Sequence, residues 1–230
     1  MIMVNPRADE VARRLVILKY QVIQAMTVPP VLRMLYKSWQ DSEQKEFYSQ
    51  LQQKLDELRN SFRKLELWEF LSDDEEKFFS TNPLDLTDRQ IVNASWRTES
   101  IVVLMWALGL ISELPFFDVQ ASLDLLKQIP TEYLSAFFAD AKLIDQKIIE
   151  QKRSVAELWH WRSRNRELVE KGSKPEILGE RSLDDVVRTT AVLAYKQGDL
   201  AEILDEDFTA SGKAYRNLTD DEWSSVRSIS

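Results

Sequence analysis

The chain contains no cysteine, and it has one histidine and five glycines among 230 residues. Without cysteine, disulfides, thiolate catalysis and every cysteine-ligated zinc or iron–sulfur site are excluded. A single histidine excludes a metal centre that needs two. The glycines are too scattered to form a phosphate-binding loop. We therefore expect no metal site and no cofactor, and we assign no catalytic residue.

Long hydrophobic runs are also missing. The strongest run, from Ile101 to Ile111, has eleven residues, whereas about 20 are needed to span a bilayer. Near the N-terminus the longest apolar run is Leu15 to Leu18, which is too short for a secretory signal. We expect a cytoplasmic protein with no membrane contact.

The charge is negative and uneven. The formal net charge is −8, which argues against nucleic-acid binding. Residues 1–40 hold six basic and two acidic side chains, whereas residues 41–90 hold seven basic and thirteen acidic ones. An acidic segment favours a protein partner with a basic surface, but a solvated helical face explains the same pattern.

The hydrophobic pattern is helical. Apolar residues recur at three- and four-residue steps from Val11 to Met26 and again from Phe47 to Leu65, and no alternating pattern typical of a strand extends beyond a few residues. The sequence therefore predicts an all-α fold, with residues 1–230 forming a single compact domain.

Capping boxes mark several helix starts, at Ser72 with Glu75 and at Thr87 with Gln90. The second box predicts a helix over about 88–111, and its apolar C-terminal half should be buried on every side as the centre of the core. Asp118 is predicted to cap another helix that ends before Pro130. The helix after it has no clear end between residues 138 and 142.

The last part of the chain differs in character. Residues 205–218 combine adjacent acidic residues with Gly212, and we expect an irregular segment there. A third capping box, at Thr219 with Glu222, predicts a C-terminal helix from residue 220.

A first cluster with unusual chemistry precedes the apolar run that contains Trp106. It consists of Trp96, Arg97 and Glu99. Charged residues that enter a core helix must be paired or must reach a water-lined cavity, because a lone buried charge is costly. The cluster therefore forms either a buried ion pair or a salt bridge at a helix end, or else it forms the wall of a ligand pocket.

A second cluster lies near the middle of a predicted helix over residues 148–170. Its aromatic and basic members are Trp159, His160, Trp161, Arg162 and Arg166. Guanidinium groups beside aromatic faces can form an anion site, and the histidine can change its charge near neutral pH. Alternatively, the tryptophans anchor the helix and the arginines pair with acidic neighbours.

The central segment resembles a bacterial family of unknown function, domain of unknown function 4272. The resemblance rests on Trp96-Arg97-Thr98-Glu99, on the run that ends Trp106-Ala107-Leu108-Gly109, and on flanking pieces at Arg14–Leu18, His160–Arg162 and Gly212–Thr219. It implies an α-helical fold and no assigned activity. In the family a further helix usually follows the segment that here ends at Ser230, so we expect the C-terminal helix to be truncated.

Two functional hypotheses follow. In the first, the protein is a non-enzymatic protein-interaction module, of which an immunity protein against a basic toxin is one form. In the second, it binds a small molecule or anion, or is an enzyme, and the two clusters converge on one pocket. The oligomeric state is open in both.

Overall fold

The computed structural model describes residues 6–172 and 182–229. The protein is mostly helical, at 69%, with ten α-helices and a small three-stranded sheet within those ranges. The predicted helical fold is confirmed, and the sheet near the C-terminus is an addition to it.

The helices follow one another along the chain. They are α1 (Ala8–Met26), α2 (Pro30–Tyr36), α3 (Asp41–Lys64), α4 (Asp73–Ser80), α5 (Asp88–Ser95), α6 (Arg97–Ala107), α7 (Leu134–Asp140), α8 (Gln146–Glu170), α9 (Leu183–Gln197) and α10 (Asp220–Ile229). Among them, no single helix is long and apolar enough to cross a bilayer; α1 and α2 taken together pass that test, but they are bent by 46°.

The chain divides into two compact units. Unit 1 consists of Met1–Leu114 with Ala121–Leu143, and unit 2 consists of Pro115–Gln120 with Ile144–Ser230. A division by contacts does not decide whether either unit folds alone. The single domain over residues 1–230 therefore stays a prediction.

Unit 1 is built around α1, which packs against α5, α6 and α7. Its apolar side chains are buried around most of the helix, including consecutive ones from Leu15 to Leu18. Phe62 of α3 and Phe79 of α4 are also fully buried in this core. The central helix is therefore α1 and not the helix predicted over residues 88–111.

Several polar side chains on α1 are buried or half-buried, and those of Lys19, Gln24 and Arg14 bond to other segments of the chain. Lys19 donates to the carbonyl of Ile129 at 2.6 Å, and burial lowers the pKa of this lysine. Gln24 donates to two carbonyls at the end of α4. Arg14 makes a bidentate ion pair with the buried Glu75 at 2.6 and 2.7 Å. These bonds offset the cost of removing polar groups from water.

The helix predicted over residues 88–111 is interrupted and ends early. It is divided at Trp96 into α5 and α6, where the hydroxyls of Ser95 and Thr98 donate to nearby backbone carbonyls, a contact that often bends helices. Gly109, at φ 68°, then ends α6. The amides of Gly109 and Leu110 donate to the carbonyls of Trp106 and Met105, which is the Schellman ending.

The prediction that this segment is buried on every side is also wrong. Ile101, Val102 and Met105 are buried, but Val103 between them is 50% exposed. α6 therefore covers the core with one face only.

The helix predicted after Asp118 is absent; the described chain has only a 3-10 turn there, at Leu123–Gln128. Asp118 instead accepts hydrogen bonds from the amide and hydroxyl of Ser211. α7 ends at Asp140, which places the boundary that was open between residues 138 and 142.

The segment predicted to be irregular, 205–218, contains most of a sheet. Strands β1 (Ile203–Leu204), β2 (Asp207–Ala210) and β3 (Lys213–Ala214) pair antiparallel in that order, with Leu204 opposite Asp207 and Thr209 opposite Ala214. Both connections are two residues long with positive φ at each residue, as the commonest hairpin turn requires. Strands this short show no alternating pattern in the sequence.

The predicted capping boxes at Ser72 and Thr87 are confirmed. Thr219 and Glu222 exchange the hydrogen bonds of the third box, and α10 begins at Asp220 as predicted. The truncation of this helix stays a prediction.

The packing of α6 by one face is tested by a substitution that creates a cavity in the core of unit 1. Met105→Ala removes a fully buried side chain, and we expect the free energy of unfolding from urea denaturation to fall by about 2–5 kcal/mol. Val103→Ala, two residues away on the exposed face, should change it by less than about 0.5 kcal/mol. Equal losses would contradict this packing.

Candidate functional site

The first predicted cluster is not a buried ion pair. Trp96 and Arg97 are exposed where α5 meets α6, and Trp106 is buried. Glu99 is half-buried and accepts a hydrogen bond from the backbone amide of Ala121 at 2.9 Å. Within the part of the chain that the structure describes, no ion pair joins Arg97 to Glu99. The interruption at Trp96 leaves the arginine in solvent.

The second cluster contains the most buried ion pair of unit 2. Arg162 of α8 donates from Nε and Nη2 to the two carboxylate oxygens of Asp207 on β2, both at 2.7 Å. The guanidinium also lies 4.5 Å from the ring centre of Tyr215. This bidentate pair joins the middle of α8 to the start of the central strand.

Asp207 has no exposed surface, and every bond around it favours its charged form. Its carboxylate also accepts the backbone amides of Phe208 at 2.8 Å and Arg216 at 3.0 Å. Burial by itself raises the pKa of this carboxyl, but the hydrogen bonds and charge of Arg162 together with the two amides outweigh burial and lower it. The pair is therefore ionised at neutral pH.

Arg166, one turn further along α8, also bonds to other groups of the protein itself. It donates to the carbonyls of Tyr215 and Leu218 at 2.8 and 2.9 Å and to Glu170 at 3.2 Å. Its guanidinium lies 5.0 Å from the ring centre of Trp223. Arg166 therefore holds the short turn that precedes α10.

Trp159 belongs to an aromatic core and not to an open pocket. Its ring stacks on Phe117 at 5.5 Å and meets Phe208 edge-on at 5.3 Å. His160 is exposed, and half-buried Trp161 beside it borders a shallow surface depression of about 600 Å³, whose described lining lies on α8 alone.

The candidate residues therefore fall into two groups in different units. Trp96, Arg97, Glu99 and Trp106 belong to unit 1, and the five residues of α8 belong to unit 2. Their convergence on one pocket stays a prediction. In unit 2, the geometry brings Arg162, Arg166 and Trp159 together around Asp207 and Tyr215 as a packed network.

A larger cavity, of about 820 Å³, lies in unit 1 between the C-terminal end of α1, α2 and the start of α5. We call it the α1–α2–α5 groove. Its apolar lining consists of Ala25, Met26, Val28, Pro29, Pro30, Met34, Leu84, Ile91 and Val92. No side chain of α2 is buried, and Val31 and Met34 are 61% and 64% exposed.

Arg33 fixes one wall of the groove. Its guanidinium donates to the carbonyls of Val28, Leu84 and Leu86 at 3.1 Å, and also to that of Pro83. These bonds tie α2 to the segment before α5 although α2 contributes no buried apolar side chain. Arg33 is therefore a structural residue of the groove.

The polar groups of the rim are few. Tyr48 donates its hydroxyl to Asp85 at 2.7 Å, and this bond to a carboxylate raises the pKa of the tyrosine. Asp88, the first residue of α5, and Lys37 complete the rim. This groove was not predicted from the sequence. The one sequence signal for it is Pro29-Pro30, which separates α1 from α2 and leaves the second helix exposed.

Removing the charge of Asp207 tests the network of unit 2. Asp207→Asn leaves Arg162 buried without its counter-ion, and we expect the free energy of unfolding to fall by about 3–5 kcal/mol. Asp205→Asn in the adjoining turn is the control, because Asp205 is exposed and asparagine tolerates its positive φ. A loss for Asp207→Asn no larger than that of this control would show that the pair does not hold the sheet.

The same carboxyl predicts a dependence on pH. Because its folded pKa is lowered, Asp207 contributes stability that is fully present above the unfolded value of about 3.9 and is lost as the pH falls toward the folded value. Urea denaturation between pH 6 and about 3 should show a steeper loss of stability for the wild type than for Asp207→Asn. Parallel curves would contradict the assignment.

Residues 3–184 match the family described as Domain of unknown function (DUF4272), and no curated protein and no solved structure matches the chain. The match contains Arg162 but stops before Asp207, so the resemblance at Gly212–Thr219 stays a prediction. Since the match covers more than half of its length, the chain belongs to the DUF4272 family.

Proposed function

We propose that this chain is a non-enzymatic protein-interaction module that holds a partner protein in the α1–α2–α5 groove. The observation that carries the proposal is the groove itself, a cavity of about 820 Å³ with a mainly apolar lining. Apolar surface of this kind, bordered by a few polar groups, is typical of interaction sites.

The exposed apolar side chains of α2 support binding of a partner at this helix. Met34 in the lining, and Val31 and Leu35 on α2 outside it, are more than half exposed, so the helix gains little from apolar burial against its own unit. Covering these side chains would remove apolar area from water, at about 25 cal/mol per Å². A partner that packs on α2 would therefore stabilise both the complex and the helix.

The charge distribution supports a partner with a basic surface. The segment 41–90, which runs from α3 into the start of α5, carries thirteen acidic and seven basic side chains. Complementary charge accelerates association and selects among partners. An immunity protein that binds a basic toxin is one form that the proposal can take.

The alternative is binding of an anion or small molecule by the predicted clusters. In unit 2, the guanidinium groups of Arg162 and Arg166 already donate to Asp207, Glu170 and backbone carbonyls. A ligand would have to replace those internal bonds. The alternative therefore has less support than the groove.

The proposal is tested by placing a charge in the groove. Met34→Glu should weaken binding of a partner at least about tenfold, because its carboxylate would lose hydration on docking. Partners captured from cells by the wild-type chain of 230 residues would be identified, purified and titrated against wild type and variant. Val103→Glu, an exposed helical position of unit 1 outside the groove, is the matched control. If both variants bind every partner as the wild type does, the groove is not the docking site.

A further inference from the structure

We infer that the partner segment held in the α1–α2–α5 groove is an amphipathic α-helix with a basic side chain opposite Asp85 and Asp88. This inference rests on the proposed function, and it adds the conformation and the charge of the segment that the groove receives.

The backbone groups around the groove disfavour an occupant that adds as a β-strand. Arg33 already takes the carbonyls of Val28, Pro83, Leu84 and Leu86. The prolines at positions 29 and 30 have no N–H to donate. An extended peptide that joins a protein as a β-strand does so mainly through backbone hydrogen bonds. The walls of the groove offer it few such bonds.

An α-helix satisfies its own backbone hydrogen bonds and needs only apolar contacts from the receptor. The groove provides such contacts from three directions, at Met26 on α1, Met34 on α2 and Val92 on α5. Methionine side chains are flexible and polarizable, which suits a groove that receives side chains spaced one helical turn apart. The occupant is therefore helical, with an apolar stripe facing the groove.

The acidic side chains of the rim determine where the occupant carries a basic residue. Asp85 and Asp88 are exposed, and neither makes an ion pair within the described parts of the chain; Asp85 accepts only the hydroxyl of Tyr48. Of the two basic side chains of the lining, Arg33 donates to the carbonyls of Pro83, Leu84 and Leu86, and Lys37 lies on α2. A lysine or arginine of the partner is therefore favoured beside the exposed carboxylates of Asp85 and Asp88.

The experiment uses the full chain and four synthetic peptides of about 16 residues, long enough to form an isolated helix. All are alanine-rich with leucine at i, i+3, i+4 and i+7. One carries lysines beside the stripe, and a second carries glutamates at the same positions. A third has a proline in its centre, which breaks the helix, and the fourth has the proline at its first position, where a helix tolerates it. Affinities are measured by titration of labelled peptide.

We expect the lysine peptide and the peptide with the terminal proline to bind alike. The central proline and Met34→Glu should each weaken binding about tenfold or more. The glutamate peptide should bind about two- to fivefold more weakly than the lysine peptide, as for an exposed ion pair. Asp85→Asn with Asp88→Asn should remove that preference, whereas Asp73→Asn, at the first position of α4, should retain it.

Equal binding of the two proline peptides would overturn the helical conformation, and equal or tighter binding of the glutamate peptide would overturn the charge. Two other occupants are tested with the same variants. Binding to anionic lipid vesicles, or self-association in sedimentation, that is lost in Met34→Glu while no peptide binds would replace the helix by a membrane or by a second copy.

The two proposals can fail separately. If a cellular partner needs Met34 but docks through a segment that is not helical, the inference is wrong and the proposed function stands. If the peptides bind as expected but no cellular partner is sensitive to Met34→Glu, the proposed function is wrong and the groove remains a helix-binding site.

Discussion

Burial of α1 on most of its surface is the constraint on which unit 1 depends. A helix that packs against three others must have side chains suited to the interior around its whole circumference, yet α1 carries Arg14, Lys19 and Gln24. Their N–H groups bond to carbonyls or to Glu75, and these bonds fix the positions of α4 and of the segment before α7. The C-terminal end of α1 then forms one wall of the groove, whose shape follows from the same packing.

Arginine has a parallel structural role in each unit. Arg33 binds four carbonyls around the groove, and Arg162 binds both oxygens of a buried carboxylate. The planar guanidinium with its five donors suits such sites. Of the second predicted cluster, Arg162 joins the sheet to α8, because a guanidinium binds an internal carboxylate by the same bidentate geometry that it would use for a ligand.

The network around Tyr215 and the α1–α2–α5 groove differ in how much of their surface is free to bind a partner. The aromatic and basic groups around Tyr215 are engaged with one another, whereas the apolar side chains of α2 lie open beside the groove. Binding is favoured where a partner removes exposed apolar surface from water. The groove, although it has few polar groups, therefore supports a binding role better than the network of unit 2 does.

The sequence by itself determined the helical class and the helix starts at Ser72, Thr87 and Thr219, because periodicity and capping act within a few residues. It also excluded cysteine chemistry. Only the tertiary structure decided that α1 is central, that Arg162 meets Asp207 forty-five residues away, and that α2 is left exposed. Those features depend on contacts between distant segments, and the short strands around Asp207 are stabilised by such contacts and leave no local pattern.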